Sequence, residues 1–447
     1  MRYAVVGGGI AGLAAAWELR RLDSEAEITV HEPSSLGGKL VTSSFAGRPV
    51  DEGADAFLAR VPWGRALCDE LGIGGQLESP ANGSAYVAAG HAAHRLPAGL
   101  VLGVPTDPDA VRGSPLLGPD AADRVAAEPA LPGSPLAPGD DANLGALIRH
   151  RFGDDVLERL VDPLLGGINA GDADRLSLRA AAPQLAAAAE RSASLVEGLR
   201  SAPAPDDPAA PVFWAHPGGM AAIVATLVTQ LRGGGVVFAG DAVADHRDLA
   251  ADGVVLATPA AITATIVARA GAEHAARLLR GIAHSSPVLL TLAFDRADVR
   301  HPLDASGLLV PKPERRLLTA CSFATTKWAH LGAADPTTVI LRASAGRFGD
   351  DRAIGMDDDR LLTRVLADLD ALLGIDGDPK ELRITRWHDG FPQYEPGHLD
   401  RVAAIESDVA TAAPEVALAG AAYRGIGIPA CIRSGRDAAA ALVGTSR

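Results

Sequence analysis

A run of glycines between a strand and a helix at the start of the chain limits its fold more than any other feature. Residues 2–6, RYAVV, read as a short apolar strand, and residues 10–22, IAGLAAAWELRRL, carry apolar side chains at helical spacing. Between them, Gly7, Gly9 and Gly12 fit G-x-G-x-x-G in the strand–turn–helix setting that the pattern requires. The first glycine permits the tight turn. The second lets the backbone approach a pyrophosphate, and the third lets helix and strand pack closely, with the helix N-terminus facing the phosphates. Residues 27–32, EITVHE, give a second strand that ends on Glu32, where a carboxylate can accept hydrogen bonds from ribose hydroxyls. A glycine turn that only serves packing would not need an acid in this register. The segment is a complete βαβ unit, and it predicts a parallel sheet that binds a dinucleotide.

The remaining 415 residues alternate in texture, and a chain of 447 residues has room for two or three domains. Residues 105–142 are rich in Pro, Gly, Asp and Ser and read as turns and loops. Residues 143–200 read as helices, with an Ala-rich stretch at 180–190, and a second proline-rich break covers 201–211. Residues 212–260 return to α/β character and end in the strand DGVVLATP. Residues 286–295 and 338–345 read as strands, and the final stretch from 415 reads strand, glycine-rich turn, helix. Dinucleotide-type patterns thus recur at the start, middle and end. One nucleotide-binding domain assembled from separated segments accounts for this.

Two further motifs follow the same logic. SSLGGKL places Gly37, Gly38 and Lys39 shortly after Glu32, where a glycine pair allows a second close approach of backbone to cofactor and Lys39 can meet a phosphate. GAAYRGIGIP sets Gly420, Gly425 and Gly427 before a helix that starts near Pro429, offering N–H groups to an anion or an electron-rich ring edge. Between these, DEGADAFLAR (51–60) gathers three acids around Gly53, and on its own reads as a solvated acidic loop.

Charge and composition exclude several classes. A net charge of -14 argues against a nucleic-acid partner, which demands a basic face. Cys68, Cys321 and Cys431 are far apart and form no CxxC or His/Cys cluster, so neither a disulfide framework nor a metal site is expected. No run of 18 apolar residues occurs. The N-terminus has no signal-peptide succession, and a cytoplasmic location is the expectation. The interleaved Arg149, Arg151, Asp154, Asp155, Glu158 and Arg159 read as a solvated helix face, so membrane contact is at most peripheral.

GGGIAGLAAAWEL, EPSSLGGKLVT and DEGADAF resemble the amine-oxidase-like FAD superfamily. HRLPAGLVLGVPTD, LVDPLLGGINAGDADRLS, FWAHPGGMAAIVATL, RWHDGFPQYEPGHLDRV and LAGAAYRGIGIPACIRSGRDAA narrow this. Together they resemble the porphyrinogen oxidases of haem synthesis, most closely the coproporphyrinogen III oxidases (coproporphyrin-forming) of Gram-positive bacteria. The resemblance covers nearly the whole chain and is thin at about 110–142 and 265–285.

The resemblance implies an α/β fold with a Rossmann-type FAD-binding domain from 1–85, 212–262 and 386–447. It also implies a mixed α+β substrate-binding domain from 86–110 and 263–385, and a helical domain at 111–211. The implied FAD contacts are Gly7, Gly8, Gly9, Ile10, Ala11, Gly12, Glu32, Pro33, Gly38 and Lys39. To these it adds Gly53, Ala54, Asp55 and Ala56 beside the flavin, then Val243, Trp387, Gly425, Ile426, Gly427 and Ile428. Val243 would meet the adenine through its backbone, in the strand after GGGVVFAGDA. Trp387 on physical grounds alone is more often a core side chain than a cofactor contact. The implied reaction passes hydride from a meso carbon of the porphyrinogen to flavin N5. Protons leave the pyrrole nitrogens, and molecular oxygen then takes the electrons as hydrogen peroxide. No side chain is assigned as a catalytic base. The substrate's propionates call for basic clamps, and Arg60, Arg95, Arg175 and Lys327 are the candidates, Arg60 first because its loop approaches the flavin. Relatives often carry further basic residues just after that arginine, where this chain reads ARVPW. A coproporphyrin ferrochelatase is the implied recipient of product.

Four other readings fit parts of the pattern. One is a protoporphyrinogen IX oxidase. An amine oxidase would set aromatic side chains around the amine, and this chain is only 4% aromatic. A carotenoid desaturase would show a greasy entrance, where this chain has polar, proline-rich insertions. The non-enzyme alternative is an FAD-bound porphyrin carrier. Cys431 lacks the setting of a covalent flavin link and reads as a buried small side chain.

Overall fold

The computed structural model describes residues 1–203 and 210–445, so 204–209, the middle of the second proline-rich break, lie outside the described residues. The chain divides into two compact units. The first comprises Met1–Ser79, Ala210–Ala283 and Leu399–Arg447, and the second Pro80–Ala209 and His284–His398.

The first unit is built on a five-stranded sheet in the order Val237–Ala239, Glu27–His31, Arg2–Val6, Gly253–Leu256, Val416–Leu418. Every pairing is parallel. Its central strands are short and wholly apolar inside, as befits strands covered on both faces. Ala4, Val6, Val254 and Leu256 pack against helices Ala260–Arg269, Glu273–Arg280 and His398–Ala412. The residues between them face the other way. There Gly253 lies against Tyr3 and Leu442, below helices Ile10–Leu22 and Ile428–Thr445. These two helices touch along a seam of small residues. A Cβ on Gly435 would sit 2.0 Å from the carbonyl oxygen of Ala11, so the backbones meet as closely as they do only because residue 435 has no side chain. The separated segments at the start, middle and end of the chain do combine into one sheet.

The second unit holds a seven-stranded sheet in the order Glu381–Arg386, Val288–Asp295, Thr338–Ala345, Leu318–Phe323, Gly307–Leu309, Tyr86–Ala89, Ala92–Arg95. Its pairings are antiparallel except that Gly307–Leu309 runs parallel to Tyr86–Ala89. Two cores flank it. In one, Leu290, Leu292, Leu341 and Ala343 pack with Leu361, Val365 and Leu369 of helix Asp358–Leu373. The other is helical, with Leu144, Ile148, Leu157, Leu160, Leu185 and Val196. Strand Tyr86–Ala89 serves both by alternation, Tyr86 and Ala88 to the first core and Val87 to the second.

Residues 105–142 correct the expectation of turns and loops. They contain helices Pro108–Val111 and Ala121–Ala127 and a 3-10 turn Glu128–Ala130. Val111, Leu116, Ala122 and Val125 enter the helical core, so tertiary burial overrides a turn-rich composition. Glu128 is fully buried there. Its carboxylate accepts from Ser194 Oγ at 2.5 Å and from the N–H groups of Leu195 and Val196 at 2.8 and 3.3 Å, capping helix Leu195–Arg200. Helices Ala260–Arg269 and Glu273–Arg280 share the first unit's core, and residues 386–398 fall in the second unit.

Candidate functional site

In the first unit, the turn at 7–12 leaves strand Arg2–Val6 with Gly7 at φ 109, a conformation that only glycine adopts without strain. Its N–H donates to the His31 carbonyl at 2.9 Å. A Cβ on Gly12 would lie 1.9 Å from the Gly7 carbonyl oxygen, so the third glycine is required for helix and turn to touch. A Cβ on Gly9, by contrast, would meet nothing within 4 Å. The second glycine therefore faces open space, as a backbone that receives a ligand must. Helix Ile10–Leu22 starts at Gly9 with no side-chain cap, which leaves its first N–H groups for an incoming anion.

Glu32 stands immediately beyond its strand. Oε2 accepts from the Gly8 N–H at 2.9 Å, and Oε1 accepts from Ser34 N–H at 3.0 Å and Ser34 Oγ at 2.6 Å. Burial alone would raise its pKa, but the donors from Ser34 and Gly8 outweigh it and hold the carboxyl below its usual range. The acid is thus an oriented, ionised acceptor beside the glycine turn.

The GGK motif closes over the same turn. Gly37 N–H donates to Gly8 O at 2.8 Å, Gly37 bridges Gly9 in parallel, and a Cβ on Gly38 would be 3.2 Å from Gly9 Cα. Lys39 keeps solvent contact yet is closely ringed by protein, and this desolvation lowers its pKa. Near it, Cys431 lies buried in the first turn of helix Ile428–Thr445, its Sγ 3.8 Å from the carbonyls of Gly425 and Ile426. Burial pushes the thiol up to about 11 against a smaller downward pull from Lys39, so it is a protonated, unreactive side chain at neutral pH. All three cysteines are buried free thiols.

Loop 51–60 is less solvated than its acids imply. Asp51 is buried, and its Oδ1 accepts from Thr42 Oγ1 at 2.5 Å and from Met220 N–H at 2.8 Å, capping helix Met220–Gly233. Gly53, Ala54, Asp55 and Ala56 then run without regular structure into strand Phe57–Leu58, and Arg60 follows, exposed. The C-terminal turn carries Gly425 at φ 137 and Ile426 and Gly427 before the helix opens at Ile428. Val243 requires a correction. It lies in the irregular stretch after strand Val237–Ala239, not in a strand, because the chain leaves the sheet edge at Gly240.

The remaining candidates belong to the second unit. Arg95 is hydrogen-bonded to Asp304 and, at 3.0 Å, to Ser84 Oγ, with its guanidinium over the Tyr86 ring at 5.1 Å. Arg175 is hydrogen-bonded to Glu395 and lies over Phe348 at 4.8 Å. Lys327 lies over Trp328 at 4.9 Å. Trp387 is half-buried in a turn, its backbone N–H donating to Pro287 O at 3.1 Å.

The family model for flavin containing amine oxidoreductases matches residues 10–443. The chain belongs to that family. A coproporphyrinogen III oxidase of Mycobacterium leprae is 36% identical over 98% of this chain and 98% of its own. The protein of the same name from Bacillus subtilis is 31% identical over 97% and 96%. A crystal structure of a candidate protoporphyrinogen oxidase from Exiguobacterium covers 100% of this chain and 99% of its own at 30% identity, with a TM-score of 0.87.

As a flavin-containing amine oxidoreductase, the chain is an FAD-dependent oxidoreductase, and its residues fit that cofactor. The uncapped helix end, the open face at Gly9 and the oriented Glu32 match a pyrophosphate and a ribose. Sequence reasoning missed Ser34, which orients Glu32, and Gly435, which seats the C-terminal helix. A small residue at the centre of IRSGRDAAAA was the available signal for the second. Among the described residues no helix is long and apolar enough to cross a membrane, and no group of three or more acids, histidines or cysteines is placed to hold a metal.

Proposed function

We propose that this enzyme oxidises coproporphyrinogen III to coproporphyrin III in haem biosynthesis, with molecular oxygen as acceptor and hydrogen peroxide as co-product. The observation that carries the substrate is the full-length likeness to the mycobacterial and Bacillus proteins of that name. Bound FAD supplies the hydride acceptor. The chain's own residues hold and orient. The 7–12 turn with Lys39 takes the pyrophosphate, Glu32 the ribose, the backbone near Val243 the adenine, and Gly53–Ala56, Trp387 and Gly425–Ile428 the flavin. Arg60, Arg95, Arg175 and Lys327 take the propionates. Arg60 leads, because it follows directly from the flavin-side loop. Arg95 and Arg175 already hold Asp304 and Glu395, so binding a propionate there exchanges one carboxylate for another and gains little. The two separate cores of the second unit support its division into a substrate-binding sheet and a helical part. The cytoplasm as location and a coproporphyrin ferrochelatase as recipient complete the reading.

Anaerobic mixing with coproporphyrinogen III tests it. The yellow flavin absorbance should bleach and return on admitting oxygen, and Arg60→Ala should raise KM for coproporphyrinogen roughly tenfold, the loss of one charge-assisted contact. A flavin that stays oxidised in the presence of coproporphyrinogen contradicts the proposal.

A further inference from the structure

Three helices of the first unit converge on one carboxylate that no cofactor contact uses. Glu70 is the last residue of helix Pro62–Glu70. A negative charge there opposes the helix dipole, so its place needs a compensating partner. Two are present. Arg436 of helix Ile428–Thr445 grips it with both guanidinium arms, Nη1 to Oε1 at 2.9 Å and Nη2 to Oε2 at 2.7 Å. Trp17 of helix Ile10–Leu22 donates its indole N–H to Oε2 at 2.8 Å. Burial would raise the pKa of Glu70, and these donors reverse the shift, keeping it ionised.

Each helix continues a different cofactor segment. Ile10–Leu22 starts at the phosphate turn, Pro62–Glu70 follows the Gly53–Ala56 loop and Arg60, and Ile428–Thr445 follows the Gly425–Gly427 turn. The C-terminal helix is seated against the first by Gly435, one residue before Arg436, and against the second by Arg433 over the Trp63 ring at 4.6 Å. It also packs on strand Phe57–Leu58.

We propose that Glu70 is a positioning residue that fixes the separation between the phosphate turn and the two flavin-side segments, so that the site matches the whole dinucleotide rather than its halves. This rests on the cofactor contacts proposed above and on no substrate assignment. It follows that Glu70 matters for FAD and not for a ligand that fills the phosphate and ribose end alone.

The test compares FAD with ADP on the full-length chain, reversibly stripped of flavin, with FAD release from the holoprotein as a second readout. Glu70→Gln, which leaves Arg436 without its charge partner, should raise the Kd for FAD tenfold or more and speed flavin release, with the Kd for ADP within twofold of wild type. Arg436→Lys, which cannot make the two-armed contact, should follow the same pattern. Should Glu70→Gln fail to fold, Trp17→Phe removes one donor only and should raise the FAD constant about threefold, again sparing ADP. Equal weakening of FAD and ADP, or no change in either, would overturn the proposal and leave the triad as helix packing. Because no porphyrinogen is used, the outcome is independent of the substrate reading.

Discussion

At the residue scale, the cofactor site depends on what glycines omit and on how one acid is held. Gly12 is required by contact with Gly7 and Gly9 by the space it leaves, and the same sequence pattern covers both needs. Glu32 is oriented before any ligand arrives, by Gly8 and Ser34. Glu32→Gln should weaken FAD binding by roughly 10- to 100-fold, the range for hydrogen bonds to a charged group. The pH dependence follows from the lowered pKa. A carboxyl whose folded pKa is depressed contributes above its unfolded value and loses that contribution as pH falls through the folded one. FAD retention should therefore stay level through the ordinary carboxylate range and fall only below it, and the Gln variant should lack this acid limb. Titrations of flavin release against pH check both. These residues were legible because their spacing is local. Arg95 and Arg175 were legible only as residue types, since Asp304 and Glu395, their partners, lie about 200 residues away in sequence.

At the element scale, the first βαβ unit, the strand at 253–256 and the final strand–turn–helix followed from periodicity, while the helices at 260–280 and 398–412 and the long-range caps escaped. Asp51 and Glu128 are acids in polar stretches, and both end up buried at the N-termini of distant helices, Met220–Gly233 and Leu195–Arg200. Nothing near either residue marks it, because the helix that it caps lies far along the chain. Glu128 is also 3.7 Å from Arg151, and both are buried. Glu128→Ala should cost about 3–5 kcal/mol, because it strands a buried cation as well as uncapping a helix. Chemical denaturation measures this. The pair replacement Glu128→Ala with Arg151→Met, which removes the cap and both charges, should lose clearly less. Equal losses would mean that the cap, and not the charge, dominates. The helices in 105–142 belong to the same lesson: their few apolar residues are spent on the helical core, and composition hid them.

At the scale of the whole molecule, the strands of the first unit were legible in three separated segments, each carrying at least one strand of one sheet, whereas helix Glu273–Arg280, expected with the substrate-binding part, packs in that unit's core. The second unit was less legible. Its seven strands pair in an order far from that of the chain, and Tyr86–Ala89 divides its side chains between two cores. The substrate therefore rests on full-length likeness and on basic residues, where the cofactor rests on geometry. The most direct measurement is aerobic turnover of coproporphyrinogen III and protoporphyrinogen IX side by side, followed by porphyrin fluorescence with the purified yellow protein. Coproporphyrin should form faster, with hydrogen peroxide released and the advantage reduced in Arg60→Ala. Preference for protoporphyrinogen, or oxidation of neither by protein that holds FAD, would contradict the proposed function.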